Sequence, residues 1–226
     1  RLGLKITKLI KELTKNKNLV IVLSHLASAD QKNNTYNIFQ NKQFLKIKSM
    51  FSNKKIIFSV ANSSGLVLGE KFHHDLVRPG ISLYGGHNDN TKLKNLIKPI
   101  VKLKAQILQI KTISKNKYIG YNQTYKTNKD TKVAIVGLGY GDGYPRNLSN
   151  KGYLYRKNEK YKILGRVSMD TITIDISKAN KVFKIGDHIE VINYNHTIDK
   201  LAEQSGTISN EILTSITKRV KRIYHV

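Results

Sequence analysis

The chain has no cysteine in its 226 residues, which excludes disulfides and thiolate metal sites and suits a reducing cytoplasm. Tryptophan is absent as well, and proline occurs only three times, too rarely for a Pro-rich linker or recognition segment. No apolar run approaches the roughly 20 residues needed to cross a bilayer, and no charged-then-apolar leader opens the sequence. A soluble, cytoplasmic protein without a membrane partner is expected.

Acidic residues are also scarce: 15 Asp and Glu stand against 40 Lys and Arg, for a formal charge of +25. Such a charge points first to nucleic acid, whose binding draws on Lys and Arg clustered to face phosphates. Here the lysines are spread from Lys5 to Lys221 among many Asn and Ile. A solvated, Lys-coated surface is therefore favoured over a nucleic-acid groove, and no nucleic-acid partner is expected. The length suffices for one large domain or two small ones. Because Arg1 opens directly onto a helix-period stripe of Leu2, Ile6, Leu9, Ile10 and Leu13, a fragment or processed product is expected.

The first 96 residues alternate between two periodicities. Helical patterns lie near Gly3 to Lys15 and Tyr36 to Phe51, with apolar runs at Leu19 to Leu26 and Ile56 to Ala61. This alternation predicts βαβ units around a parallel sheet, part of an α/β barrel. From 97 to 226 the pattern is of alternating strands: Val101, Leu103, Ala105 and Ile107 share one face, and Ile172, Ile174 and Ile176 another. The expected fold class is α/β plus β, a partial (β/α) barrel followed by a mainly antiparallel β domain. Near the end, Thr197 caps a helix that Gly206 stops, a second short helix follows near Asn210 to Thr217, and Arg222 to Val226 reads as a closing strand.

Four stretches carry candidate chemistry. Val133 to Val136 runs into Gly137-Leu138-Gly139-Tyr140-Gly141-Asp142-Gly143-Tyr144-Pro145-Arg146, where four glycines alternate with larger residues. The dinucleotide fingerprint fails here, since Tyr144-Pro145 takes the place of its third glycine and helix. A Gly-rich β-turn and a functional loop both remain open. Val77-Arg78-Pro79-Gly80-Ile81 is an ordinary X-Pro-Gly turn or a phosphate-binding one with exposed amides. His25 ends an apolar strand, as a structural or a catalytic histidine. Gly165-Arg166-Val167-Ser168-Met169-Asp170 by itself reads as structural. His73-His74-Asp75 is not expected to bind metal, because three consecutive side chains point apart and no further ligand shares their spacing.

Taken in order, Arg1-Leu2-Gly3, Ala61-Asn62-Ser63, VRPGISLYG, GYGDGYPR and GRVSMD resemble the alanine racemase family over essentially the whole chain. The resemblance implies a barrel holding pyridoxal phosphate, a C-terminal β domain and a homodimer with sites shared between subunits. The implied reaction interconverts L-alanine and D-alanine for peptidoglycan, with two bases on opposite faces of the α-carbon. It makes Tyr140 the base on the L-alanine face, supported by His25, itself linked to Arg78, which also meets the pyridine nitrogen. Ser63 and the amides of Gly80 and Ile81 match phosphate contacts. Arg1 matches the arginine that positions the substrate carboxylate, Met169 matches a substrate-side contact, and Asp170 is a weaker candidate.

The resemblance also breaks in two places. The family's cofactor-binding lysine and a phosphate-binding tyrosine belong to a preceding barrel segment, and no lysine here sits in that motif. Near the end, Lys218 precedes Arg219-Val220-Lys221-Arg222 where the family places a tyrosine before Arg-Val-Pro-Arg. The alternatives are a non-catalytic remnant or split-gene partner of such a racemase, and a basic nucleic-acid-binding protein.

Overall fold

The structure is a computed structural model that describes residues 10, 13–51, 55–87 and 91–225. The helix expected over Gly3 to Lys15 lies mostly outside these residues. The chain divides into two compact units, Arg1–Lys98 and Pro99–Val226.

In the first unit, β1 (Ile21–Leu23) leads through α1 (Thr35–Ser49) to β2 (Ile57–Ser59), which pairs with β1 in parallel. Parallel pairing demands a crossover connection, and α1 supplies it. The helix begins at Asn34, whose side chain accepts the Tyr36 amide at 2.9 Å. It packs through Phe44, which shares a core with Leu26, Phe51, Ile56, Phe58 and Phe72. Its inward face also carries Asn37 and Asn41, both buried. Burial is tolerated because Asn37 Nδ2 donates to the Ser28 and Gln31 carbonyls and Asn41 Nδ2 to the Lys71 carbonyl. Single-turn helices at Gly65–Leu68, Glu70–Phe72 and Ile81–Tyr84 precede α2 (Thr91–Leu96).

The second unit is built on a six-stranded sheet. Its strands are β3 (Leu103–Ile113), β6 (Thr131–Val136), β7 (Tyr153–Arg156), β8 (Glu159–Lys162), β9 (Ile172–Asp175) and β10 (His188–Ile192). A separate hairpin pairs β4 (Tyr118–Ile119) with β5 (Tyr125–Lys126). The sheet order is β8-β7-β10-β3-β6-β9, with every pair antiparallel. A single bridge from Ile163, just past β8, to Ile174 in β9 links the two ends of that order at one point. Ile107, Ile172 and Ile174 fill the interior at positions the alternation predicted, and Leu154 and Ile189 join them.

Two helices cover the end of the unit, α3 (Ile198–Ser205) and α4 (Ser209–Ser215). Thr197 caps α3 and Gly206 ends it in the left-handed conformation, φ 66°. The closing strand is a correction: residues 222–225 form no strand. All four are exposed, so their alternation has no face to bury.

Candidate active site

The carboxyl ends of β1 and β2 gather the first group of candidates, the end at which α/β sheets place their ligands. Ser24 follows β1 and donates its amide to the Ser59 carbonyl at the end of β2 (2.9 Å). Arg78 is brought to the same end by its own amide, which donates to the Ala61 carbonyl at 2.9 Å. From there its guanidinium reaches the Ser24 carbonyl at 2.6 Å and the Ser59 hydroxyl. The Ser59 hydroxyl in turn donates to the Leu76 carbonyl at 2.6 Å. Arg78 is thereby fixed in direction, which suits a planar donor meant to meet a partner at one angle.

His25 lies one residue beyond Ser24, exposed. Its Nε2 is 3.3 Å from Asn62 Nδ2. Asn62 Oδ1 is committed to the Gly65 amide at 2.9 Å, so the Asn62 nitrogen is the donor and His25 Nε2 accepts. The proton of the neutral ring then sits on Nδ1, the nitrogen able to donate.

Ser63 is buried, and its Oγ accepts from the Gly80 amide (2.8 Å), the Ser82 amide (3.3 Å) and the Ser82 hydroxyl (3.1 Å). With its lone pairs so occupied, the Ser63 hydroxyl has only its proton left to offer a further partner. Ile81 opens the turn Ile81–Tyr84, and its cap residue Gly80 offers no side chain. The Gly80 amide is thus tied to Ser63 Oγ, which brings the serine hydroxyl against the start of the Ile81–Tyr84 turn.

The second group belongs to the other unit. Tyr140 opens a single 3-10 turn, Tyr140–Asp142, and its amide donates to the Ser168 carbonyl at 3.0 Å. Gly141 does the same to the Met169 carbonyl at 2.9 Å. GYGDGYPR and GRVSMD are thus laced backbone to backbone. Both side chains of interest remain at the surface, Tyr140 46% and Met169 50% exposed. Tyr144 in the same motif is a different kind of residue. It is buried, and burial first and then Tyr155 push its phenol upward, so it is no candidate base. A cavity of about 340 Å³ opens beside Tyr140, lined also by Gly143, Pro145, Arg146, Glu211 and Ile212. Sequence reasoning missed Ser24, Ser59, Asn62 and Ser82, which hold Arg78, His25 and Ser63, and also Arg219, 3.3 Å from Asp142, and Thr217, whose hydroxyl donates to the Gly141 carbonyl at 3.0 Å.

Of the remaining candidates, Arg1 lies outside the described residues. His73, His74 and Asp75 disperse to the Leu66 carbonyl, to Asn41 Oδ1 and to Lys48.

Residues 1–88 match the family described as "Alanine racemase, N-terminal domain", and residues 100–224 match "Alanine racemase, C-terminal domain". The chain belongs to the alanine racemase family. It is 39% identical to the alanine racemase of Rickettsia bellii, covering 99% of this chain and 56% of that one, and 40% identical to that of Rickettsia canadensis, covering 99% and 62%. The alanine racemase of Bartonella henselae, solved with covalently bound pyridoxal phosphate, superposes with a TM-score of 0.89 at 36% identity, covering 100% of this chain and 63% of that one. The biosynthetic alanine racemase of Pseudomonas aeruginosa gives 0.87 at 28% identity, covering 100% and 64%. This chain therefore spans about three fifths of the length of these family members.

Proposed function

We propose that the chain works as part of an alanine racemase that interconverts L- and D-alanine in the cytoplasm and supplies D-alanine for peptidoglycan. Residues 1–96 contribute to the cofactor-binding barrel and 97–226 form its β domain. The working form is a homodimer in which the base of one subunit serves the cofactor held by the other. The observation that carries this reading is Ser63, tied to the Gly80 amide where the Ile81–Tyr84 turn begins, together with an Arg78 fixed on Ser24 and Ser59 at the carboxyl ends of parallel strands. These groups fit the phosphate and the ring nitrogen of pyridoxal phosphate. They offer no partner for its aldehyde, and the family's lysine is not assignable within these residues.

Pyridoxal phosphate, when bound, supplies the electron sink that makes the weakly acidic α-proton of alanine removable. Ser63 and the Gly80 and Ile81 amides would hold the phosphate. Arg78 would meet the ring nitrogen and, as a guanidinium that keeps its own proton, would leave that nitrogen unprotonated and moderate the sink. That disfavours transamination. Tyr140 Oη takes the α-proton from L-alanine and returns it in the reverse direction, with His25 Nδ1–H supporting the phenolate. Arg1 orients the substrate carboxylate, and Met169 lines the substrate side.

Lys218, standing where the family has a tyrosine, favours a second reading: a non-catalytic remnant or split-gene partner. The deciding experiment combines this chain with the preceding segment of the Rickettsia bellii relative, adds pyridoxal phosphate, and follows D-alanine made from L-alanine. Product that disappears in Tyr140→Phe supports the racemase. Its absence with the intact chain supports the remnant.

A further inference from the structure

The loops that carry Tyr140 and Met169 share a cation that the mechanism above does not use. Arg219 Nη2 lies 2.6 Å from Asp170 Oδ1, and Arg219 Nε lies 3.3 Å from Asp142 Oδ1. Asp170 directly follows Met169. Asp142 closes the turn that begins at Tyr140, and its other oxygen accepts the Gly139 amide at 2.9 Å. One planar fork thus bridges the residues flanking both candidate side chains, which a lysine, as a single point of charge, does not reproduce.

The fit is close on the backbone side as well. A Cβ added at Gly141 would stand 2.5 Å from Arg219 Nη1, so the guanidinium runs directly beneath the turn. Thr217, two residues earlier, donates its hydroxyl to the Gly141 carbonyl at 3.0 Å and its amide to the Asp142 carbonyl at 3.2 Å. Without the guanidinium, Asp142 and Asp170 would lose the cation they share. The arrangement contributes little to global folding, because the Arg219 and Asp170 side chains are 47% and 61% exposed and solvent screens such pairs. Its effect is local, on the backbone that aims Tyr140.

We infer that Arg219 is a positioning residue for racemisation, setting the Tyr140 turn against the Met169 loop so that phenol and thioether keep one spacing. The inference rests on Tyr140 being the base. It goes beyond that reading by assigning a task to the C-terminal segment, where the family pattern is broken at Lys218.

The test compares the wild-type 226-residue chain with Arg219→Gln and Arg219→Lys by amide hydrogen exchange. In Arg219→Gln the Tyr140 and Gly141 amides should exchange roughly fivefold faster, while the β6–β9 ladder keeps its rates. Arg219→Lys should fall between. Unchanged rates at Tyr140 and Gly141, or equal acceleration throughout the β unit, would overturn the inference. In the combined racemase described above, Arg219→Gln should lower kcat roughly tenfold with KM nearly unchanged, and Arg219→Lys should restore part of the loss. A rise in KM alone would count against positioning. Exchange needs neither alanine nor cofactor, so it decides whether Arg219 holds the Tyr140 turn to the Met169 loop, and an inactive combined protein counts only against the function on which the inference rests.

Discussion

A Cβ on Gly139 would stand 2.2 Å from the carbonyl oxygen of Met169, so the two loops meet backbone to backbone at a position where only glycine fits. Gly139→Ala must therefore push the Met169 loop away and break the amide bonds from Tyr140 to Ser168 and from Gly141 to Met169. We expect a loss of about 2 kcal/mol or more in urea denaturation. Gly206→Ala is the comparison: a Cβ there meets nothing within 4 Å, and only its φ of 66° opposes the change. That variant should lose about 1 kcal/mol. Equal losses in the two would show that close approach at Gly139 is not what holds the loops.

Tyr140 is predicted to handle the proton on one face only. In the combined racemase, Tyr140→Phe should stop deuterium from solvent entering L-alanine while leaving cofactor binding intact. Incorporation into L-alanine at the wild-type rate, followed by mass spectrometry, would remove Tyr140 from its assigned role.

Much of the architecture was legible in sequence, and the reason differs by element. The alternation at Ile172, Ile174 and Ile176 marked a buried sheet face because period-two burial leaves a trace in hydrophobicity. α1 was read from a helical pattern over Tyr36 to Phe51, although its inward face buries Asn37 and Asn41 while Ile38, Phe39 and Leu45 point out. The segment after Arg222 failed because apolar alternation predicts a strand only where a face is available to cover. In the candidate site, the family-like motifs marked Tyr140, Arg78, Ser63 and Met169. Their supports were not legible: Ser59, Asn62 and Arg219 act through contacts set by tertiary folding, which sequence spacing does not record.

Arg78 is predicted to control side reactions through its charge. In the proposed racemase, Arg78→Glu would bring a carboxylate to the ring nitrogen and favour its protonation, so pyruvate released per racemisation event should rise. The same change leaves the Ser24 carbonyl and Ser59 hydroxyl without their guanidinium donor, so a melting curve must accompany it. Unchanged pyruvate from a folded variant would show that Arg78 does not set the protonation state.

His196 gives the β unit a pH dependence of its own. The imidazole is buried, stacks on Tyr155 at 4.2 Å between ring centroids, and sits 2.9 Å from the Val191 carbonyl and 3.3 Å from Gln204 Oε1. Burial is the largest influence and lowers its pKa from the ordinary 6.5; the bonds to Val191 and Gln204 oppose that change, and nearby Lys200 adds to it. The folded value thus lies below the unfolded one. As pH falls through 6.5, the unfolded chain takes up a proton that the folded chain still refuses. Stability is therefore full above that pH and declines below it until the folded value is passed, by at most about 1.4 kcal/mol for each unit of separation. His196→Gln keeps a polar side chain in the site but removes the titration. The urea midpoint of the wild type should fall relative to that of His196→Gln between about pH 7.5 and about pH 5.5. Parallel curves for the two proteins would mean that other groups carry the acid sensitivity of this unit.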